Sequence, residues 1–250
     1  MSVKGKTLLV TGASRGIGAA IVEKLLADGA RVVAHYNRTE GSLAALAKKP
    51  GRRLLAVRAN LENDAETEAL WAAAVKWQGR VHGLINNAAI ISSVRPEAPL
   101  VEWRKEWRRT IRVNLDAAAD LCRFALLHFL EKGGGDIVNV ASRAAFRGDL
   151  PDAMHYAASK GGLVALTRSL AKNYARQGVC AYTVAPGWVS TERVMPKLAA
   201  KGNEFMLAEV PMGGPAPPAE VANIVAFLLS GAARHATGGT FDINGASYFH

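Results

Sequence analysis

Short, almost wholly apolar runs of about five residues recur along this chain, each followed by a longer stretch with helical spacing, and this alternation restricts the fold more than any other feature. The runs are Thr7 to Thr11, Ala30 to His35, Leu54 to Ala59, His82 to Asn86, Ile137 to Ala141, Ala181 to Ala185 and Thr240 to Ile243. They are rich in Val, Ile and Leu without strict polar alternation, the pattern of strands buried on both faces of a parallel sheet. Helical stretches lie between them: Gly18 to Asp28, Gly41 to Lys48, Ala65 to Gln78, Val101 to Leu130, His155 to Gln177 and Ala219 to Ser230. Strand and helix in strict succession specify βαβ units with right-handed crossovers. The expected fold is therefore α/β: a single-domain, Rossmann-like, doubly wound parallel sheet of about seven strands flanked by helices. Residues 1–250 form that one domain, and 188–217, the longest insertion, is the segment expected to cover a substrate.

Composition agrees with a self-sufficient core. Half of the 250 residues are hydrophobic and 21% are charged, which excludes disordered and fibrous classes and leaves no need for a disulfide or structural metal. Cys122 and Cys180 stand far apart, with no Cys or His at ligand spacing, so two reduced thiols and no metal site are expected. The stretch Met1 to Lys6 leads directly into the first apolar run without a secretory signal, and no run approaches the ~20 apolar residues of a membrane span. A cytoplasmic protein without membrane contact is expected. The net charge of +10 is unevenly placed: residues 1–125 hold 20 basic and 12 acidic side chains, and residues 126–250 hold 11 and 9. A basic half suits nucleic acid, an acidic protein or an anionic cofactor, and composition does not choose among them.

Motifs do choose. Thr11 Gly12 Ala13 Ser14 Arg15 Gly16 Ile17 Gly18 joins the first strand to the first helix, where glycines let the backbone approach a pyrophosphate at a helix N-terminus. Dinucleotide sites that take NAD place an acid about 20 residues on, at the ribose hydroxyls. Here the second strand ends His35 Tyr36 Asn37 Arg38 Thr39, with no acid before Glu40. The planar fork of Arg38 suits a 2′-phosphate, and Arg15 in the loop can approach the same group, so NADP is favoured over NAD.

Further on, Tyr156 and Lys160 are four residues apart at a helix start and share one face. An ammonium beside a phenol favours the phenolate, which would make Tyr156 a usable general acid and base. Ser142 ends the fifth apolar run, 14 residues earlier, so that both hydroxyls can meet one carbonyl oxygen. Asn114 lies within the long fourth helix, and Asn86 Asn87 Ala88 Ala89 ends the fourth strand.

With these residues the chain resembles the short-chain dehydrogenase/reductase family over essentially its whole length. The glycine loop, Asn86 to Ala89, Asn114, Ser142, Tyr156 with Lys160, Pro186 Gly187 Trp188 Val189 Ser190 Thr191, and Thr237 to Gly245 carry the resemblance. It implies Tyr156 as acid/base and Ser142 as holder of the substrate oxygen. Lys160 would acidify Tyr156 and bind the nicotinamide ribose, and Asn114 would maintain a kinked helix and a water chain. Val189 and Thr191 would cradle the carboxamide. The implied cofactor set is Gly12, Ser14, Arg15, Gly16, Ile17, Gly18, Asn37, Arg38, Asn60, Leu61, Asn87, Ala88, Ala89, Tyr156, Lys160, Pro186, Gly187, Val189 and Thr191.

Three departures bear on affinity: Asn60 where the family usually has Asp, Ala89 where Gly is usual, and Asn244 Gly245 Ala246 for the frequent Asp-Gly-Gly. An NADP-dependent carbonyl reductase or alcohol dehydrogenase is the expected activity. Its rivals are a 3-oxoacyl carrier-protein reductase, although Gly133 and Gln177 stand where such enzymes are usually basic, and a cofactor-binding redox sensor or scaffold without turnover. The family also implies a homotetramer or dimer. The row Arg104, Arg108 and Arg112 reads as a solvated or interface face rather than a nucleic-acid surface, with Trp103, Trp107 and Ile111 packing. Ser92, Ser93, Arg143, Arg147, Asp149, His155 and Trp188 are expected to line a pocket suited to a polar or acidic substrate.

Overall fold

The computed structural model describes residues 2–48, 53–201 and 204–250. Seven strands form one parallel sheet in the order β3-β2-β1-β4-β5-β6-β7. They are β1 (Thr7–Val10), β2 (Arg31–Tyr36), β3 (Leu54–Arg58), β4 (Gly83–Asn86), β5 (Gly135–Val140), β6 (Val179–Pro186) and β7 (Thr240–Ile243). The helices are α1 (Gly16–Ala27), α2 (Leu43–Leu46), α3 (Asp64–Gln78), α4 (Leu100–Ile111), α5 (Ala117–Glu131), α6 (Ala144–Arg147), α7 (Met154–Tyr174), α8 (Met195–Leu198), α9 (Glu204–Ala208) and α10 (Pro218–Leu229).

Alternation of side chains across each strand divides the core in two. On one face Leu8, Val10, Val32 and Val184 pack with Ile21, Val22 and Leu25 of α1 and with Val221, Val225 and Leu229 of α10. On the other, Leu9, Val33, Leu84 and Ile137 meet Leu70 and Ala74 of α3, Leu121 and Phe129 of α5, and Leu170 of α7. Both faces being covered explains why the strands read as continuous apolar runs. The strand order reverses between β1 and β4, whose registers place Leu8 beside both Val32 and Gly83. A crevice at the carboxyl ends of the strands follows from that reversal.

Three sequence expectations are corrected. The helix read over 41–48 is a single turn, α2, since only Leu43 and Leu46 reach the core. The long helix read from Val101 to Leu130 is interrupted by a π-helical segment over Arg112–Asp116, where Asn114 is turned inward and buried. The insertion at 188–217 also contains the short helices α8 and α9.

Part of the basic excess is occupied by local partners. Arg109 pairs with Glu62 at 2.9 Å, and Arg112 with Asp64 at 2.6 Å and Asp120 at 3.0 Å. Arg53 donates to the Leu26 carbonyl and Arg58 to the Asn37 carbonyl, while Arg52 lies outside the described residues. Trp103 and Trp107 stack on each other with centroids 4.9 Å apart.

Candidate active site

The loop from β1 into α1 is fastened from both sides. On the β4 side, Asn87 donates from its amide to the carbonyls of Thr11 (2.9 Å) and Gly12 (3.0 Å), while the Asn87 and Ala88 N–H groups donate to the Thr11 hydroxyl at 3.0 Å. On the β2 side, Gly12 N–H donates to Nδ1 of His35 at 3.0 Å and Ala13 N–H to the His35 carbonyl at 2.8 Å. The His35 ring is buried, and its Nε2 lies 2.9 Å from the Ala59 carbonyl at the end of β3. Nδ1 accepts, so the ring is neutral and Nε2 carries the donated proton; burial lowers its pKa and holds it in that form.

The tight fit leaves room only for glycine. A Cβ on Gly12 would sit 2.7 Å from the Ala88 Cα, and one on Gly18 would sit 2.1 Å from the Gly12 carbonyl oxygen. At the start of α1 no side chain caps the exposed N–H groups. A bare helix N-terminus behind a close-packed glycine turn fits a dinucleotide pyrophosphate.

One cavity of about 790 Å³ runs over this loop. Its lining includes Gly12, Ser14, Arg15, Gly16, Ile17, Gly18, Asn37, Arg38, Asn60, Leu61, Asn87, Ala88 and Ala89 at one end, and Ser142, Tyr156, Lys160, Pro186, Gly187, Val189 and Thr191 at the other. The structure thus gathers every expected cofactor residue, and of the expected catalytic residues it leaves only Asn114 outside the wall. Asn60 already accepts from the Glu62 N–H at 3.1 Å, using one lone pair of an oxygen that has two. Arg15 and Arg38 are exposed on this wall and form no ion pair among the described residues, whereas Glu62 is neutralised by Arg109.

Asn114 acts through its amide. It accepts from the Ile90 N–H at 2.8 Å, donates to the Ile90 carbonyl at 2.9 Å and reaches the Ser159 hydroxyl at 3.2 Å. These bonds fix the chain beyond β4 against α7. Ser159 in turn donates to the Tyr156 carbonyl at 2.7 Å.

Ser142 and Tyr156 stand on the same cavity wall, where Ser142 favours the charged form of the Tyr156 phenol. Lys160, 2% exposed, donates from Nζ to the Val140 carbonyl at 2.7 Å, with Nζ 5.7 Å from the centre of the Tyr156 ring. Burial lowers the Lys160 ammonium to about 7 and pushes the Tyr156 phenol up to about 12. Burial dominates at both groups: each charged form loses solvation in the same dry wall. Tyr156 is a protonated phenol at neutral pH, suited to giving a proton to a developing oxyanion.

Four participants escaped the sequence reading. His35 carried a signal, being a lone titratable residue closing an apolar strand. Asn139, which bridges Asn86 (2.9 Å) and Thr167 (2.9 Å) beneath the site, lies within a strand otherwise read as apolar. Glu209 and Arg193 lie in the long insertion, where no periodicity places a side chain.

This crevice, glycine turn and Ser-Tyr-Lys wall define a dinucleotide-dependent oxidoreductase. The chain belongs to the short-chain dehydrogenase/reductase family. The family model described as enoyl-(acyl carrier protein) reductase matches residues 12–245. The chain is 36% identical over 248 residues to a 3-oxoacyl-[acyl-carrier-protein] reductase of Vibrio cholerae and 34% identical to that of Escherichia coli, with 99% of each chain covered. A crystal structure from Beutenbergia cavernae, assigned as an NAD(P)-dependent gluconate 5-dehydrogenase with bound NADP, superposes with a TM-score of 0.89 at 34% identity, covering 98% of both chains.

Two outcomes follow from the buried groups. His35→Asn, which keeps an acceptor for Gly12, is expected to bind NADPH more tightly than His35→Phe by roughly tenfold, since a buried donor left unpaired costs ~1–3 kcal/mol. Equal affinities in a fluorescence titration would show that the His35 bond does not set the loop. For Lys160 the folded-state pKa lies below the ordinary value of 10.5, so stability rises with pH between about 7 and 10.5 as the folded state sheds its proton first. Lys160→Met is therefore expected to raise the melting temperature at pH 6 by at least about 2–4 °C, a gain that shrinks toward pH 10. A gain independent of pH would contradict the burial cost.

Proposed function

We propose that this protein moves a hydride between NADP(H) and a carbonyl or alcohol substrate, with Tyr156 as the general acid and base. The observation that carries this reading is the placement of Ser142, Tyr156 and buried Lys160 on the wall of the same cavity that the glycine turn opens, with the Lys160 Nζ 5.7 Å from the centre of the Tyr156 ring. The nicotinamide, when bound, gives or takes the hydride. Tyr156 gives its proton to the carbonyl oxygen in reduction and takes it back in oxidation. Ser142 hydrogen-bonds that oxygen as charge develops. Lys160, near half-protonation, would bind the ribose beside the nicotinamide and exchange protons with Tyr156. Asn114 keeps the wall in register by holding Ile90 and Ser159.

For the cofactor, Gly12, Ser14, Gly16, Ile17 and Gly18 would cradle the pyrophosphate. Asn60 and Leu61 would meet the adenine, and Asn87, Ala88 and Ala89 the adjoining ribose. Pro186, Gly187, Val189 and Thr191 would face the nicotinamide. Arg38 and Arg15, with Asn37 beside them, support NADP over NAD. Both arginines line the cavity without acid partners among the described residues, and Glu40 is held by the Tyr36 hydroxyl at 3.1 Å.

The second reading is a 3-oxoacyl carrier-protein reductase, which the names of relatives at 34–36% identity favour. On the surface such a partner would need, Lys132, beside Gly133, is paired with Glu131 at 2.7 Å. A scaffold without turnover is disfavoured by the complete Tyr156 and Lys160 pair. Exposed Leu100 and Val101 on α4 and Leu127 and Leu130 on α5 support assembly into a dimer or tetramer through these helices. Buried free thiols at Cys122 and Cys180 suit the cytoplasm.

Tyr156→Phe is expected to abolish NADPH oxidation across carbonyl substrates while leaving the NADPH dissociation constant within about twofold, and retained turnover would remove Tyr156 from the chemistry. Arg38→Ala is expected to lower kcat/KM for NADPH roughly tenfold or more, about 1.4 kcal/mol, with a smaller effect for NADH. Equal losses with both cofactors would exclude contact with the 2′-phosphate.

A further inference from the structure

The polar residues expected to greet the substrate mostly satisfy one another. The Ser92 hydroxyl is 2.9 Å from His155 Nε2, and the Ser93 hydroxyl donates to Asp152. Glu209, just beyond α9, is clasped by Arg143, by Arg147 at 2.8 Å and by the Trp188 indole N–H at 3.0 Å. Arg143 also reaches Ser247 and lies with its guanidinium carbon 5.4 Å from the Trp188 ring centre. These groups are committed to shaping the wall.

Arg193 is different. It lies two residues beyond Thr191, on the same cavity as Ser142 and Tyr156, and donates from Nη2 to the Ile91 carbonyl at 3.1 Å. That bond crosses the cleft between the chain following β6 and the chain following β4. The side chain is partly buried, and among the described residues it has no carboxylate within ion-pair distance. Its positive charge favours the charged form of the Tyr156 phenol, and burial together with the Arg15 charge lowers its own pKa. A half-dehydrated guanidinium bonded, among the described residues, to one carbonyl keeps most of its five N–H donors for an anion.

We propose that Arg193 binds the carboxylate of the substrate, so that the enzyme acts on anionic carbonyl compounds, keto acids and their hydroxy-acid counterparts, with the reacting carbonyl held at Tyr156. The planar fork of Arg193 matches a carboxylate in bidentate fashion, and its place on the same cavity wall as Tyr156 limits the spacing between acid and carbonyl. This inference rests on the carbonyl-oxidoreductase reading above.

The test uses the full chain with NADPH and matched pairs of increasing spacing: pyruvate and methyl pyruvate, acetoacetate and ethyl acetoacetate, levulinate and ethyl levulinate. One acid is expected to exceed its ester in kcat/KM by at least tenfold. Arg193→Gln should raise KM for that acid by tenfold or more, leave ester turnover and the NADPH dissociation constant within twofold, and be partly rescued by Arg193→Lys. Binding is read separately from turnover: the acid should raise the melting temperature of the wild-type enzyme with NADPH and not that of Arg193→Gln. Esters preferred over acids, equal losses for acid and ester, or absence of an acid-induced shift in the wild type would overturn the proposal. A rise in the NADPH dissociation constant without change for the acid would do so too, assigning Arg193 to the cofactor pyrophosphate. Oxidation of NADPH by the esters alone would leave the oxidoreductase reading standing, whereas persistence of turnover in Tyr156→Phe would remove that reading itself.

Discussion

The hydrogen bonds that fasten Gly12 and Ala13 between β2 and β4 support everything else in this cleft. The reversal of strand order opens a crevice at the end of β1, but a glycine turn in an open crevice has no reason to hold one shape. Here the Gly12 N–H is bound by His35 and its carbonyl by Asn87, so the turn is set from both neighbouring strands at once. Because the same Asn87 and Ala88 backbone begins the chain that leads to Ile90, and Ile90 is held by Asn114, the phosphate end and the reaction end of the cavity share one rigid wall.

That wall is costly to build. Lys160 lies inside it with one carbonyl partner, and Tyr156 is dried enough to keep its proton well past neutrality. Neither arrangement favours the folded state by itself. Both leave a proton donor and a near-neutral amine on the cavity wall, the kind of stability cost that active sites carry. The polar residues around the substrate end follow another logic: Glu209 ties Arg143, Arg147 and Trp188 together, and of these arginines Arg193 alone has no carboxylate partner among the described residues.

The architecture was readable from sequence because a parallel sheet covered on both faces imposes period and length on its strands. The site was readable wherever a residue sits at a strand end or on a helix turn: the glycine loop, Asn87, Ser142, Tyr156 and Lys160 all do. It was not readable where position depends on an irregular chain. Arg193 and Glu209 belong to the insertion between β6 and α10, whose path is set by contacts with distant residues such as Ile91, Arg143 and Trp188. The irregularity at Asn114 came only through the family resemblance, since a π-helical segment has the same residue types as the helix around it, and its amide is bonded to Ile90 far away in the chain.

By itself, then, the sequence determined the βαβ succession, the place of the cofactor turn and the chemistry of the Ser142, Tyr156 and Lys160 set, all consequences of local periodicity and spacing. Only the tertiary structure decided which charges are spent and which remain. Whether a guanidinium is paired, and whether a phenol or an ammonium is solvated, depends on groups brought together from elements far apart in the chain. Solvation is a property of the assembled wall, so the balance that keeps Tyr156 protonated, lowers the Lys160 ammonium and leaves Arg193 facing the cleft exists only once the fold is complete.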